Sequence, residues 1–256
     1  MNRIDQCFKE KKQNILSVYF TAGFPALNDT RRIIKALDKY GADMIEIGMP
    51  FSDPVADGPV IQKSSKKALN NGMNLALLFE QLSDLRQITD IPVILMGYLN
   101  PVFRMGMEKF LNFCYDVGID GVILPDFPLE EYENTYKKTF NQYGIYNVLL
   151  ITPQSSENRI RKIDEISKGF VYMVSSYSTT GVKEAFGDQQ ILYFERIKRM
   201  QLSNPTLVGF GISSKESYQT ACRYSNGAII GTAFIKAIEK NGKLDEKVKG
   251  FIRSLR

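Results

Sequence analysis

The chain has 256 residues, 44% of them hydrophobic, and a formal net charge of +5. That length suits a single α/β barrel domain; no run of about 18 apolar residues is present to span a membrane, and no Pro/Gly/Ser-rich linker divides the chain. Histidine is absent, which excludes Ser-His and Cys-His nucleophiles and histidine-bound metals and leaves acid–base chemistry to carboxylates, Tyr, Lys or Cys.

The opening Met1-Asn2-Arg3-Ile4-Asp5-Gln6 is too polar for a secretory signal, so a cytoplasmic location is expected. Residues 1–12 read as an extra N-terminal helix. Apolar runs rich in β-branched and aromatic residues then fall at 15–21, 44–48, 92–97, 121–125, 146–151, 170–175, 206–209 and 228–231. Amphipathic stretches lie between them at 30–40, 75–86, 107–117, 129–143, 157–167, 190–199 and 215–224, and 244–255 reads as a closing helix. Strand-length runs alternating with helix-length stretches predict βαβ units and a parallel sheet. Eight such units in this length predict one (β/α)8 TIM barrel spanning residues 1–256, a catalytic domain of α/β class. The junctions Tyr40-Gly41-Ala42-Asp43 and Val117-Gly118-Ile119-Asp120 repeat one device, a glycine where a helix ends and a left-handed residue is needed.

Glu46 interrupts the apolar run Met44-Ile45-Glu46-Ile47-Gly48. Alternation puts Ile45 and Ile47 on one face and Glu46 on the other, so Glu46 points into the barrel if the isoleucines meet the helices. Burial raises a carboxyl into the range useful for acid–base work. The competing reading, a structural Glu paired with an interior cation, finds no Lys or Arg in any strand run. The following loop, Pro50-Phe51-Ser52-Asp53-Pro54-Val55-Ala56-Asp57-Gly58-Pro59, leaves the C-terminal end of a barrel strand, the face on which barrel enzymes place their chemistry. Spacing alone leaves its two aspartates open between turn-making and catalysis. The loop after the sixth run, Ser175-Ser176-Tyr177-Ser178-Thr179-Thr180-Gly181-Val182, reads as either a lid or a polar surface loop.

Two glycine turns, Gly209-Phe210-Gly211-Ile212-Ser213-Ser214 after the seventh run and Gly231-Thr232 after the eighth, occupy the places where barrels bind phosphate. No lysine ends a strand run, which counts against a Schiff-base aldolase; a carbon–carbon cleavage here needs a substrate that supplies its own electron sink. Cys7, Cys114 and Cys222 lack metal-ligand spacing and read as reduced, packed thiols, and no metal site is expected. The basic residues are scattered rather than clustered, so no nucleic acid partner is expected, although a mildly positive field suits an anionic substrate.

The run Ile45-Glu46-Ile47-Gly48-Met49-Pro50-Phe51-Ser52-Asp53-Pro54-Val55-Ala56-Asp57-Gly58-Pro59-Val60-Ile61-Gln62 resembles the hallmark of the tryptophan synthase α-subunit family. The likeness extends to Gly97-Tyr98-Leu99-Asn100-Pro101, Pro125-Asp126-Phe127-Pro128 and Gly209-Phe210-Gly211-Ile212-Ser213. What the resemblance implies is a carbon–carbon lyase of tryptophan biosynthesis, performing retro-aldol cleavage of indole-3-glycerol phosphate to indole and glyceraldehyde 3-phosphate. By that likeness Glu46 handles the protons at indole C3 and the side-chain hydroxyl, and Asp57 accepts the indole N–H. Tyr19, Tyr98, Tyr172 and Phe210 line the substrate pocket, Gly181, Gly211, Gly231 and Thr232 bind phosphate, and Thr180 reaches Asp57 when the lid closes. The family also implies a β subunit in an αββα heterotetramer, which holds the pyridoxal phosphate and is faced by Pro50 and Asp53; no cofactor is implied in this chain. Ser178-Thr179 stands where Gly-Val is usual, Tyr19 where Phe is usual and Thr232 where Ser is commoner. Two other readings are a free-standing lyase of the same fold and a non-catalytic barrel that activates a β partner.

Overall fold

A strand whose two faces are both buried reads as a continuous apolar run, and the observed strands follow the predicted runs closely. The computed structural model describes residues 1–175 and 186–256. It contains β1 (Ile15–Thr21), β2 (Met44–Gly48), β3 (Val93–Met96), β4 (Gly121–Ile123), β5 (Tyr146–Asn147), β6 (Leu149–Ile151), β7 (Val171–Val174), β8 (Thr206–Gly209) and β9 (Gly227–Ile230). Every pairing is parallel, in the order β5-β4-β3-β2-β1-β9-β8-β7-β6. The fifth predicted strand is thus realised as two pieces at opposite ends of that order, with only Val148 between them. The first piece pairs with β4 and the second with β7, so one stretch of chain closes the sheet into the expected barrel.

The helices are α1 (Arg3–Glu10), α2 (Asp29–Tyr40), α3 (Pro59–Asn70), α4 (Leu75–Gln81), α5 (Leu85–Ile88), α6 (Leu99–Met105), α7 (Met107–Val117), α8 (Leu129–Glu131), α9 (Lys137–Tyr143), α10 (Glu157–Ile166), α11 (Asp188–Met200), α12 (Lys215–Tyr224), α13 (Thr232–Glu239) and α14 (Leu244–Leu255). A π-helical turn, Tyr132–Tyr136, joins α8 to α9. Gly41 and Gly118 end α2 and α7 in the left-handed conformation, as their junctions predict. Among the described residues no helix is long and apolar enough to cross a membrane.

Ile45 and Ile47 belong to the large apolar layer between sheet and helices, whereas Met44 belongs to a second cluster inside the barrel with Ile94, Ile123, Leu207 and Ile229. Ile4 and Phe8 of α1 complete that inner cluster; Phe8 packs against Phe170 at 6.0 Å between ring centroids. The extra N-terminal helix therefore plugs the barrel at the end where the strands begin.

The same end is tied together by Asp120, which is 3% exposed. Its carboxylate accepts from Arg86 at 2.6 Å, from Arg3 at 3.1 Å and from the Val93 N–H at 2.8 Å. Replacing it by alanine leaves the buried Val93 N–H without its acceptor and removes the counter-charge of a half-buried Arg86 that keeps its bonds to the Gly118, Thr89 and Ile91 carbonyls, so Asp120→Ala is expected to cost about 2–3 kcal/mol. Urea unfolding checks this; a loss below about 1 kcal/mol means that water replaces the carboxylate.

Candidate active site

Glu46 lies at the middle of β2, pairs in register with Tyr19 of β1 and Ile94 of β3, and is 0% exposed. Alternation sends its side chain inward, one residue pair above Met44. Its Oε1 accepts the Ser17 hydroxyl at 2.8 Å, while Oε2 has no hydrogen-bond partner among the described residues. Burial pushes its carboxyl up to about 8, with the Ser17 bond pulling the other way. Near neutral pH it therefore holds its proton in most molecules and still releases it readily, the condition for acid–base work.

Asp57 stands on the loop between β2 and α3, where Pro59 opens the helix and the backbone is steered by Gln62, whose Nε2 donates to the Asp57 carbonyl at 2.7 Å. Burial raises its carboxyl, and the Tyr98 hydroxyl, donating to it, partly offsets that. The same hydroxyl accepts the Ala56 N–H at 3.0 Å, and the Tyr98 ring lies 5.5 Å from that of Phe51. Tyr98 immediately precedes α6, and the first helical N–H, that of Leu99, donates to both oxygens of Asp126 at 3.0 and 3.1 Å. The loop after β4 thus anchors the tyrosine that anchors the loop after β2.

Tyr19 and Tyr172 both feel the carboxylates of Glu46 and Asp57: burial raises both phenols well above their ordinary value, and those two charges add to it. Both remain hydroxyl donors at any pH near neutrality. Each ring leans over a glycine on the next strand. A Cβ on Gly48 would sit 2.1 Å from the Tyr19 hydroxyl oxygen, and one on Gly209 would sit 2.1 Å from that of Tyr172. Gly48→Ala is accordingly expected to swing Tyr19 out of place, lower stability by about 1–3 kcal/mol and raise the Michaelis constant. Denaturant titration alongside steady-state kinetics reads both, and unchanged values would mean that the ring is not held where it lies.

The two glycine turns differ. At the first, Phe210 adopts φ 68° and Gly211 φ 74°, with the Ser175 hydroxyl donating to the Phe210 carbonyl at 2.7 Å. A bulky residue in the left-handed region costs about 1 kcal/mol or more and turns the Phe210 ring toward Tyr172, 6.3 Å away. Beyond it, the N–H groups of Ser213 and Ser214 are already taken by the Ser217 hydroxyl at 3.1 and 3.0 Å. At the second, Gly231 caps α13 without a side-chain oxygen, and the helix's hydrogen bonding starts only with Ile235 N–H to the Gly231 carbonyl at 2.9 Å. The N–H groups at the start of α13, from Thr232 onward, lie before that first bond, in a helix terminus suited to an anion. A Cβ on Gly231 would stand 3.0 Å from the Tyr19 ring, so this terminus adjoins the aromatic pocket.

Of the residues singled out in the sequence, Glu46, Tyr19 and Tyr172 lie within the strands, and Asp57, Tyr98, Phe210, Gly211, Gly231 and Thr232 lie just past the strand ends at the C-terminal rim. Pro50 is half-buried and Asp53 exposed on the outer part of the β2 loop, where the Ser52 hydroxyl bonds the Asp53 carboxylate. Thr180 and Gly181 lie outside the described residues. Sequence reasoning missed Ser17, Asp126, and the seats provided by Gly48 and Gly209. Ser17 carries a signal, being a hydroxyl two residues before Tyr19 in an otherwise apolar stretch, and a hydroxyl is as able as a cation to partner a buried carboxyl.

Polar chemistry gathered at one rim of a closed parallel barrel is the arrangement of TIM-barrel enzymes. Residues 5–254 match the family model described as tryptophan synthase alpha chain. Relatives of that name are 53% identical over 256 residues in Flavobacterium johnsoniae, covering all of both chains, and 55% identical over 242 residues in Flavobacterium psychrophilum, covering 94% of this chain and 95% of that one. Among solved structures, the tryptophan synthase alpha chain of Legionella pneumophila superposes with a TM-score of 0.89 at 32% identity, over 100% of this chain and 96% of that one. The chain belongs to the tryptophan synthase alpha chain family.

Proposed function

We propose that this chain is a carbon–carbon lyase that cleaves indole-3-glycerol phosphate to indole and glyceraldehyde 3-phosphate and hands the indole to a tryptophan synthase β subunit. The observation that carries the proposal is Glu46, a buried carboxyl with one oxygen bonded to Ser17 and the other without a partner among the described residues. In this reading the proton on Glu46 passes to indole C3, and the positive charge that develops at the ring nitrogen is met by Asp57. The carboxylate so formed takes the proton from the hydroxyl on the adjacent side-chain carbon. The bond between that carbon and C3 then breaks, its electron pair returns to the ring, and Glu46 ends with the proton it began with.

The indolenine formed by protonation is the electron sink, so the step calls for neither a Schiff base nor a cofactor in this chain. The open terminus of α13, with Gly231 and Thr232, and the turn at Gly211 would hold the phosphate, while Tyr19, Tyr98, Tyr172 and Phe210 enclose the ring; Thr180 and Gly181 would join them from the loop after β7. Pro50 and Asp53 would face the β subunit of an αββα assembly, whose active site would hold pyridoxal phosphate. The deciding experiment adds indole-3-glycerol phosphate to the purified chain and measures indole, with and without the β subunit. Indole released and strongly increased by the partner supports the reading; no indole under either condition rejects it.

A further inference from the structure

A carboxyl has two oxygens, and a proton-transfer group works best when only one of them is free to meet the substrate. In this barrel the two oxygens of Glu46 are treated differently. Ser17 enters on the inward face of β1, in register with Met44, and its hydroxyl donates to Glu46 Oε1 at 2.8 Å. Both residues are 0% exposed, so water does not compete for that bond. Oε2 is buried and has no partner among the described residues. Beside these stand Tyr19 on β1, Tyr172 on β7 and Asp57 on the β2 loop, and among the described residues no cation acts on the carboxyl.

We propose that Ser17 is a positioning residue for the reaction: its hydroxyl reserves Oε1 and fixes the carboxyl plane, so that the proton is exchanged with substrate through Oε2. The proposal rests on the lyase reading above for the substrate, though not for the hydrogen bond itself. A donor to the carboxylate also favours its charged form. Ser17 therefore holds the acid below the level that burial alone would set, closer to neutrality, where one group serves as acid and then as base.

The test compares wild type, Ser17→Ala, Ser17→Thr and Glu46→Gln as purified full-length chains. Kinetics with indole-3-glycerol phosphate across pH are expected to show the turnover number of Ser17→Ala down about ten-fold or more, the scale of one hydrogen bond to a charged group, with the Michaelis constant little changed. The pH limb assigned to Glu46 should move upward by about one pH unit. Ser17→Thr, which keeps the hydroxyl on a β-branched residue suited to a strand, should restore both. Independently of turnover, infrared difference spectra against Glu46→Gln report the carboxyl band as a function of pH, and its midpoint should rise in Ser17→Ala. An unmoved midpoint in a variant with unaltered thermal unfolding overturns the assignment, as does a change confined to the Michaelis constant. If wild type releases no indole, the lyase reading fails, while the infrared titration still decides whether Ser17 governs Glu46.

Discussion

Glu46→Gln is expected to lower the turnover number for indole formation by about 10²–10⁴-fold, because the amide keeps the shape and the Ser17 contact but can neither give nor take the proton. Stability should change in the opposite direction. The folded carboxyl is raised to about 8 by burial, whereas the unfolded chain titrates near the ordinary glutamate value of 4.5. Between those two values the folded state binds the extra proton, so wild-type stability is fully present below the lower value, falls as pH rises through 8 and levels off above it. Glutamine carries no such cost, and the variant should unfold at higher denaturant than wild type at pH 9, by an amount on the order of a few kcal/mol, and behave alike at pH 4. Kinetics and urea titrations at the two pH values check both halves. Full activity would sink the catalytic assignment, and a stability difference independent of pH would sink the account of burial.

Asp57→Asn removes a charge while keeping the size and most of the contacts of the side chain. Where a preformed charge meets one that develops only in the transition state, its loss costs about 10²–10³-fold in turnover with little effect on ground-state binding. That split between turnover number and Michaelis constant is the expected outcome. Spacing alone left this aspartate open between a turn former and a catalytic group, and the variant separates the two. A turn former would lower stability and leave turnover intact in the molecules that remain folded. Tyr98 bonds both this carboxylate and the Ala56 N–H, which ties its position to the second barrel loop.

The strand pattern was legible because strands buried on both faces are written as continuous apolar runs rich in β-branched residues: β1, β2 and β8 begin and end where those runs do. The fifth strand was legible as a run, while its division at Val148 was not, because a change of pairing partner is a tertiary event with no local sequence mark. Three helices lack a legible amphipathic stripe, although the start of α13 at Gly231-Thr232 is legible from its turn. In α3 the polar run Gln62-Lys63-Ser64-Ser65-Lys66-Lys67 dilutes the apolar face; Ser64 is nevertheless buried, bonded to Thr21 at 2.6 Å. The short α6 and α13 each begin just past a barrel rim, where the chain is shaped by the site as much as by a helical stripe. The stretch 129–143 broke into α8, a π-helical turn and α9, a distinction that depends on one shifted hydrogen bond and leaves the apolar spacing nearly unchanged.

At the site, Glu46 was legible because a lone carboxylate inside an apolar strand conflicts with its surroundings. Ser17 and Asp126 were not, since each works through a neighbour distant in sequence. The second phosphate turn was legible as glycine and hydroxyl, but the difference between the two helix starts depends on Ser217, which satisfies one of them from a full turn away.

The helix that stoppers the strand-starting end makes the barrel a blind well. With Ile4 and Phe8 filling its floor, nothing that reaches Glu46 can pass on through the axis. For the proposed cleavage, reactant and fragments then exchange on the side where the strands end, and the order in which the fragments clear that side becomes part of the reaction. In such a vessel the traffic at the lip, rather than the bond broken below it, can set the pace.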